Sequence, residues 1–323
     1  MANSVSRKKR RRRLPDIPQV PLAVPIIDNH THIYPDPKGN AEDPQGAPIQ
    51  NRDDEGFLRM PVLLEMLKEG MRAAGVRGAI TSGCDVPALK FTRDLARDNP
   101  EIYAALAIHP NEAVLHAGVR EIGPDGLPPR VELWHEQFTL DEAIAQVADL
   151  ARDDAVVAIG ETGLDYFRTG EQGAAAQKQS FRDHIALAKE LDKPMQIHDR
   201  DAHADVVEIL LADGAPERTV FHCFTGDREL AEICAANDWY MSFAGPVTYG
   251  PNVDLQEAFD VAPDDLVLVE TDAPYLTPVP FRGQPNAAWA VVYTAEFLAE
   301  RRGIALEEYC EILNRNTYHV YGI

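Results

Sequence analysis

His30 and His32 close an apolar run, Ile26-Ile27-Asp28-Asn29-His30-Thr31-His32. On a strand, a spacing of two turns both imidazoles to the same side. Further along, apolar runs end on His109, Glu161, His198, His222 and Asp272. A single buried histidine is ordinarily a hydrogen-bonded core residue. Seven ionisable groups gathered in one place are costly to bury unless something pairs them, and divalent cations do so directly. Imidazole with carboxylate suits zinc, manganese, iron or nickel, while magnesium prefers carboxylate and water. A catalytic ion keeps one position open and rarely takes more than three or four protein ligands, so the number of donors points to two ions. His30, His32, Glu161 and Asp272 form one set. His198 and His222 form the other, with Glu161 able to bridge. Two cations ~3.5–4 Å apart can activate a water and clamp the attacking and leaving oxygens of a phosphoryl transfer, which makes hydrolysis the expected chemistry.

Those groups need elements to hold them. Ile- and Val-rich runs recur at Pro25–Ile33, Arg77–Gly83, Tyr103–His109, Val156–Glu161, Pro194–His198, Thr219–Phe224, Tyr240–Gly245 and Leu266–Asp272. Amphipathic segments lie between them, at Met60–Ala74, Pro87–Asp98, Asp141–Arg152, Ala174–Leu191, Ala204–Ala212 and Arg228–Asn237. Strand then helix, repeated eight times, predicts an α/β fold with parallel strands and right-handed crossovers. At this length the pattern fits a closed (β/α)8 TIM barrel, whose active sites are built at the C-terminal ends of the strands. An open doubly wound sheet would want a Gly-rich phosphate loop after an early strand, and none is present. Nor is there a Gly-x-Ser-x-Gly elbow for a serine hydrolase. Two long connections, Tyr34–Arg59 and Pro110–Thr139, fall on the C-terminal face and are candidate substrate walls or lids.

Composition narrows the partners. The 323 residues include 52 acidic and 31 basic side chains, a formal net charge of −21. Seven of the basic residues form the unbroken run Arg7–Arg13, and without them 24 face 52, or −28. Such a body argues against coating a long polyanion electrostatically. Residues 1–24 combine the basic run with Pro15, Pro18 and Pro21 and read as a disordered basic, Pro-rich tail, either a solvated arm or a non-specific anchor for polyanions. Residues 25–323 read as one barrel domain. Cys84, Cys223, Cys234 and Cys310 lack CxxC spacing and read as reduced thiols of a cytoplasmic protein. No apolar run approaches the ~20 residues that span a membrane, and the N-terminus is not expected to be a secretory signal.

The motifs carry a resemblance. His30-Thr31-His32, Gly160-Glu161-Thr162-Gly163-Leu164-Asp165-Tyr166, Pro194-Met195-Gln196-Ile197-His198-Asp199-Arg200-Asp201-Ala202, Phe221-His222-Cys223-Phe224 and Glu270-Thr271-Asp272-Ala273-Pro274-Tyr275-Leu276 occur in order from about Ile26 to the C-terminus. Together they resemble the TatD family of metal-dependent deoxyribonucleases, within the amidohydrolase superfamily. Arg282-Gly283 and Asn286 resemble that family's next segment. The resemblance implies a TIM barrel and divalent-metal-dependent phosphodiester hydrolysis, exonuclease-like on single-stranded DNA, with two ions (magnesium, manganese or zinc). It maps His30, His32, Glu161, His198, His222 and Asp272 onto the metal ligands. It places His109 near the substrate phosphate and makes Asp272 the base for the attacking water. Asn29, Tyr34, Asn111 and Asn286-Ala287-Ala288 depart from the family pattern without removing a ligand.

Other residues keep two readings. Arg200 and Arg282 are positioned to hold phosphate or to make structural salt bridges. Asp165 and Tyr166 either orient Glu161 or cap and pack. Cys223 is expected to point away from the barrel interior into the core. His116, His135, His184, His203 and His319 read as surface or packing residues. The alternative activity on the same barrel is hydrolysis of an amide, lactone or small phosphoester; a non-catalytic binding protein is the third reading.

Overall fold

The computed structural model describes residues 14–34 and 64–323; the basic run Arg7–Arg13 and most of the connection Tyr34–Arg59 lie outside the described residues. Eight strands follow in order: β1 (Ile26–Thr31), β2 (Val76–Gly83), β3 (Ile102–Leu106), β4 (Val156–Asp165), β5 (Met195–Arg200), β6 (Thr219–Phe221), β7 (Tyr240–Phe243) and β8 (Val267–Val269). All are parallel, and each neighbours the next in sequence. Helices α1 (Leu64–Ala74), α2 (Val86–Asp98), α3 (Pro110–His116), α4 (Leu133–Gln137), α5 (Leu140–Leu150), α6 (Glu171–Glu190), α7 (His203–Asp213), α8 (Arg228–Ala236), α9 (Val253–Val261), α10 (Val291–Arg302) and α11 (Leu306–Tyr321) connect or follow them. The expected α/β barrel is present. Ile26, Ile80, Leu106, Ile159, Met195, Val220, Met241 and Val267, one from each strand, are all buried. Burial of each such side chain contributes about 1.5–3 kcal/mol.

The seam between β8 and β1 closes beyond the strand ends. Asp272 N donates to His30 O at 2.9 Å and His32 N donates to Ala273 O at 2.7 Å. Side chains reinforce it. Thr271 N and Oγ1 donate to Asp28 at 2.8 and 2.5 Å, and Asn29 Nδ2 donates to Val269 O at 2.9 Å. The bonds that close the barrel therefore also bring Asp272 beside the two histidines of β1.

Helix starts follow local chemistry. Asp85 caps α2 by accepting from Ala88 N, and Thr139 caps α5 in a reciprocal box with Glu142; such caps satisfy backbone N–H groups that have no partner in the first turn. The connection Pro110–Thr139, expected as a loop, contains α3 and α4. Pro110 occupies the first turn of α3 behind the cap His109, and Glu132 with His135 forms a box at the start of α4. The expected tail also differs over residues 14–24, which lie on the barrel. Trp289 Nε1 donates to Pro15 O at 3.1 Å, Tyr293 Oη to Asp16 O at 2.7 Å, and Leu22 is buried with its N–H on Ala74 O. Among the described residues, no helix is long and apolar enough to cross a membrane.

Candidate metal centre

The C-terminal ends of the strands converge on Glu161, which is buried. The register of β4 against β5 shifts between Gly160 and Thr162, so Glu161 is left out of the ladder and its side chain is re-aimed. Close approach of the two strands requires glycine two residues on. Gly163 sits at φ 143°, and a Cβ there would lie 2.1 Å from His198 O.

The two carboxylate oxygens of Glu161 face different partners. Oε1 is 3.4 Å from His32 Nε2 and 3.9 Å from His30 Nε2. Oε2 is 2.7 Å from His222 Nε2, 3.2 Å from His198 Nδ1 and 3.9 Å from His109 Nε2. Asp272 completes the first group, with Oδ1 3.3 Å from His32 Nε2 and 3.9 Å from His30 Nε2. All the residues expected to act as ligands thus meet at one mouth. His109 joins them three residues past the end of β3, as the cap of α3 rather than a strand residue.

The partners of each ring decide which nitrogen carries a proton. Gln196 Nε2 donates to Asn29 O and to Tyr321 Oη at 2.8 and 2.9 Å. Its Oε1 therefore faces His30 Nδ1, 2.8 Å away, and must accept from it. His222 Nδ1 lies 3.3 Å from Glu270 Oε1, and His198 Nε2 lies 3.2 Å from Asp165 Oδ2. All three rings put an N–H on an outer acceptor and leave the inner nitrogen for the site, the arrangement of metal-bound histidines. His109 is the reverse. Its Nδ1 accepts from Asn111 N at 3.1 Å, so the proton of the neutral ring sits on Nε2 and points into the site as a donor.

The ring charges divide differently: burial keeps His30 and His109 neutral, whereas the carboxylates hold a second proton on His198 and His222, which a cation would have to displace from their inner nitrogens. Burial, then the neighbouring His222, holds His30 down at about 3. Burial also lowers His109 to about 4. Burial opposes charge on His198 too, but Asp165 and then Glu161 outweigh it and carry it up to about 9. His222 is raised well above the usual imidazole value, Glu161 outweighing its burial. Glu161 is held well below the usual carboxylate range because His222, His109 and His198 overcome its desolvation. A buried anion ringed by imidazoles that offer inner nitrogens fits divalent cations of the kind expected.

Several residues differ from their expected places. Of the two readings of Asp165 and Tyr166, the hydrogen bonds follow capping and packing rather than direct contact with Glu161. Asp165 holds His198 and caps the following turn, accepting from Phe167 N and Arg168 N, while Tyr166 Oη donates to Asp205 at 2.6 Å. Cys223 is half-buried, not core. Its φ of 42° breaks strand alternation, and its N–H donates to Glu270 Oε1 at 2.7 Å. Gln196 and Glu270 were not singled out from sequence. Each stands two residues before a ligand, His198 or Asp272, and that period-two spacing was the available signal. Asn111, a departure from the family pattern, fixes His109 through its N–H and also donates from Nδ2 to Asp165 Oδ2 at 3.1 Å. Arg200 and Arg282 are exposed on the rim, stacked over Phe167 and Tyr249 at 3.9 and 4.2 Å.

Comparison with known proteins decides the family. The sequence profile of the TatD-related DNases matches residues 27–322. The chain belongs to the TatD-related DNase family. An uncharacterized metal-dependent hydrolase TatD of Mycobacterium tuberculosis is 35% identical over 302 residues, 92% of this chain and 98% of that protein. The uncharacterized metal-dependent hydrolase YabD of Bacillus subtilis is 36% identical over 261 residues, 80% and 93% of the two chains. The crystal structure of YjjV, a TatD homologue from Escherichia coli, superposes with a TM-score of 0.69 over 92% of this chain and 98% of that one. At 23% identity that likeness speaks for the fold. This TatD-family barrel is a metal-dependent hydrolase, with histidine–carboxylate clusters suited to metal at its mouth.

Proposed function

We propose that the protein hydrolyses phosphodiester bonds of nucleic acid, working on the end of a single DNA strand with two divalent cations, magnesium, manganese or zinc. The observation that carries this reading is the division of Glu161. One oxygen belongs to the His30–His32–Asp272 group and the other to the His198–His222 group, as a carboxylate bridging two ions requires. The cations would supply Lewis acidity and a water acidified enough to attack phosphorus.

The remaining work falls to the chain's own groups. Asp272 Oδ1, beside His32, takes the proton of the attacking water. His109 donates its Nε2 proton to a non-bridging phosphate oxygen. Its low affinity for a second proton keeps it a neutral donor at pH 7, and the donor strengthens as negative charge builds in the transition state. Asn111 maintains that tautomer. Arg200 and Arg282 hold flanking phosphates. Among the described residues neither has a carboxylate partner, and both rest on aromatic rings, so a guanidinium fork is available to each phosphate. Among the described residues these two guanidiniums would add to the charge of the ions, and on so acidic a body the mouth suits an end or short stretch of strand. The run Arg7–Arg13 would add long-range attraction.

The test uses an end-labelled single-stranded oligonucleotide with the purified protein in magnesium, manganese and zinc, beside a panel of lactones, amides and small phosphoesters. Shortening of the strand, lost in Glu161→Ala and His198→Ala, is the expected result. Turnover of a panel compound without nuclease activity would replace the nucleic-acid substrate. Replacing Arg200 or Arg282 by alanine should raise KM about tenfold with little change in kcat, as loss of a charge-assisted contact does.

A further inference from the structure

The strand ends used so far deliver imidazole, carboxylate or amide. The end of β2 delivers sulfur. Cys84, one residue past that strand, places Sγ 3.4 Å from Glu161 Oε1. Ligand atoms of Cys84, His32 and Glu161 lie within 4.8 Å of one another, and His32 Nε2 is itself 3.4 Å from the same Oε1. Two donors sharing a zinc ion at ordinary Zn–S and Zn–O lengths stand about 3.1–3.6 Å apart in octahedral or tetrahedral geometry. Sγ and Oε1 already have that spacing.

The hydrogen bonds leave the sulfur lone pairs to the site. Glu161 N donates to Ser82 Oγ at 3.0 Å, and Ser82 passes its single hydroxyl proton to Gly160 O, also at 3.0 Å. Ser82 Oγ, 3.2 Å from Cys84 Sγ, therefore has no proton to give the sulfur, and the thiol directs its own proton to Glu161 Oε1, the place a shared cation would take. Cys84 is half-buried beside the ligands, whereas Cys234 and Cys310 are buried in the apolar core.

We propose that Cys84 is a further ligand of the cation on the Oε1 side of Glu161, and that it biases that position towards a thiophilic ion such as zinc over magnesium or manganese. This rests on the metal-centre reading above and deepens it by naming the class of ion. On uptake the S–H bond breaks, a sulfur–metal bond forms and the proton leaves to solvent. A hard ion gains little from sulfur and leaves Cys84 as a thiol. The pair His32–Cys84 then acts as a selector: imidazole serves either kind of ion, sulfur only the soft one.

The experiment titrates the full-length, metal-stripped protein with cobalt(II) and follows its absorption. A sulfur-to-cobalt charge-transfer band in the near ultraviolet is expected in the wild type and absent in Cys84→Ser. By competition with a chelator, Cys84→Ser and Cys84→Ala should each bind zinc about 10–100-fold more weakly. Manganese affinity, read by electron paramagnetic resonance, should match the wild type and thereby show that both variants are folded with the other ligands in place. Cobalt uptake without the band, unchanged zinc affinity, or a band that survives in Cys84→Ser and disappears in Cys223→Ser would each overturn the proposal while leaving the metal centre standing. A wild-type protein that takes up neither cobalt nor manganese would sink both.

Discussion

Glu161 at the barrel mouth and Glu112 in the insertion after β3 are both carboxylates flanked by histidines, yet they are wired oppositely. Around Glu161, the rings of His30, His198 and His222 give an N–H to an outer acceptor and turn the other nitrogen inward. Around Glu112, His135 Nδ1 accepts from Glu132 N at 2.8 Å. Its proton is thereby forced onto Nε2, which donates to Glu112 Oε2 at 2.6 Å. Trp134 Nε1 donates to the same oxygen at 3.3 Å, and His116 gives its Nδ1–H to Phe138 O at 2.8 Å. That leaves His116 Nε2 as the one imidazole lone pair there, buried without a hydrogen-bond partner. Both groups bring three candidate ligand atoms within 4.8 Å. The second is a clasp joining α3 to α4, because its carboxylate is already satisfied by protons. Proximity of histidine and carboxylate is thus a poor guide to metal; the outer partner of each ring is the better one.

The contrast can be broken by substitution. Glu161→Gln should lower hydrolysis by about 10³-fold or more, the scale of several kcal/mol of lost charge stabilisation, and should cost bound metal. Glu112→Gln should keep the full metal content by elemental analysis; loss of an equivalent there would erase the distinction. Next in size, Glu270→Gln and Gln196→Leu remove outer acceptors without touching a ligand. Each should weaken metal binding about 10–100-fold by calorimetric titration. Histidine 135 carries a structural effect instead. His135→Ala strands the half-buried Glu112 and should cost about 1–3 kcal/mol in urea unfolding, with unchanged metal stoichiometry.

The smallest effect concerns pH and a histidine outside both groups. His184 accepts from Ile108 N at 3.1 Å and donates from Nδ1 to Ser180 O at 2.7 Å. Burial holds it down at about 4 against an ordinary value of 6.5. The fold favours the neutral ring, so this contribution is complete above pH 6.5 and is lost as pH falls through 4. Between pH 6.5 and 5 the loss should be on the order of 1–2 kcal/mol. A thermal-melting series in which His184→Gln shows the same acid slope as the wild type would refute it.

Much of the plan was legible in the chain. Ile- and Val-rich runs marked all eight strands because a strand buried on both faces must be apolar throughout, and polar residues interrupting them marked the ligands. His30 and His32 converge as their spacing requires. Alternation misled at Cys223, where a left-handed backbone replaces the strand. It was also silent at Glu161, which leaves the β4 ladder at a register shift. Helices α3 and α4 were missed because their signals, a histidine cap and a Glu132–His135 box, use residues that read equally well as loop.

What the sequence determined by itself is the set of groups: which imidazoles and carboxylates exist, and at which strand ends they arrive, since burial and periodicity act along the chain. What only the tertiary structure decided is where each proton sits. Gln196 reaches His30 from β5, and Glu270 reaches His222 from beyond β8. Those contacts cross the barrel, and a ring nitrogen becomes ligand or donor through a partner far away in sequence. Cys84 was likewise visible as a thiol; only the closed barrel sets its sulfur beside Glu161.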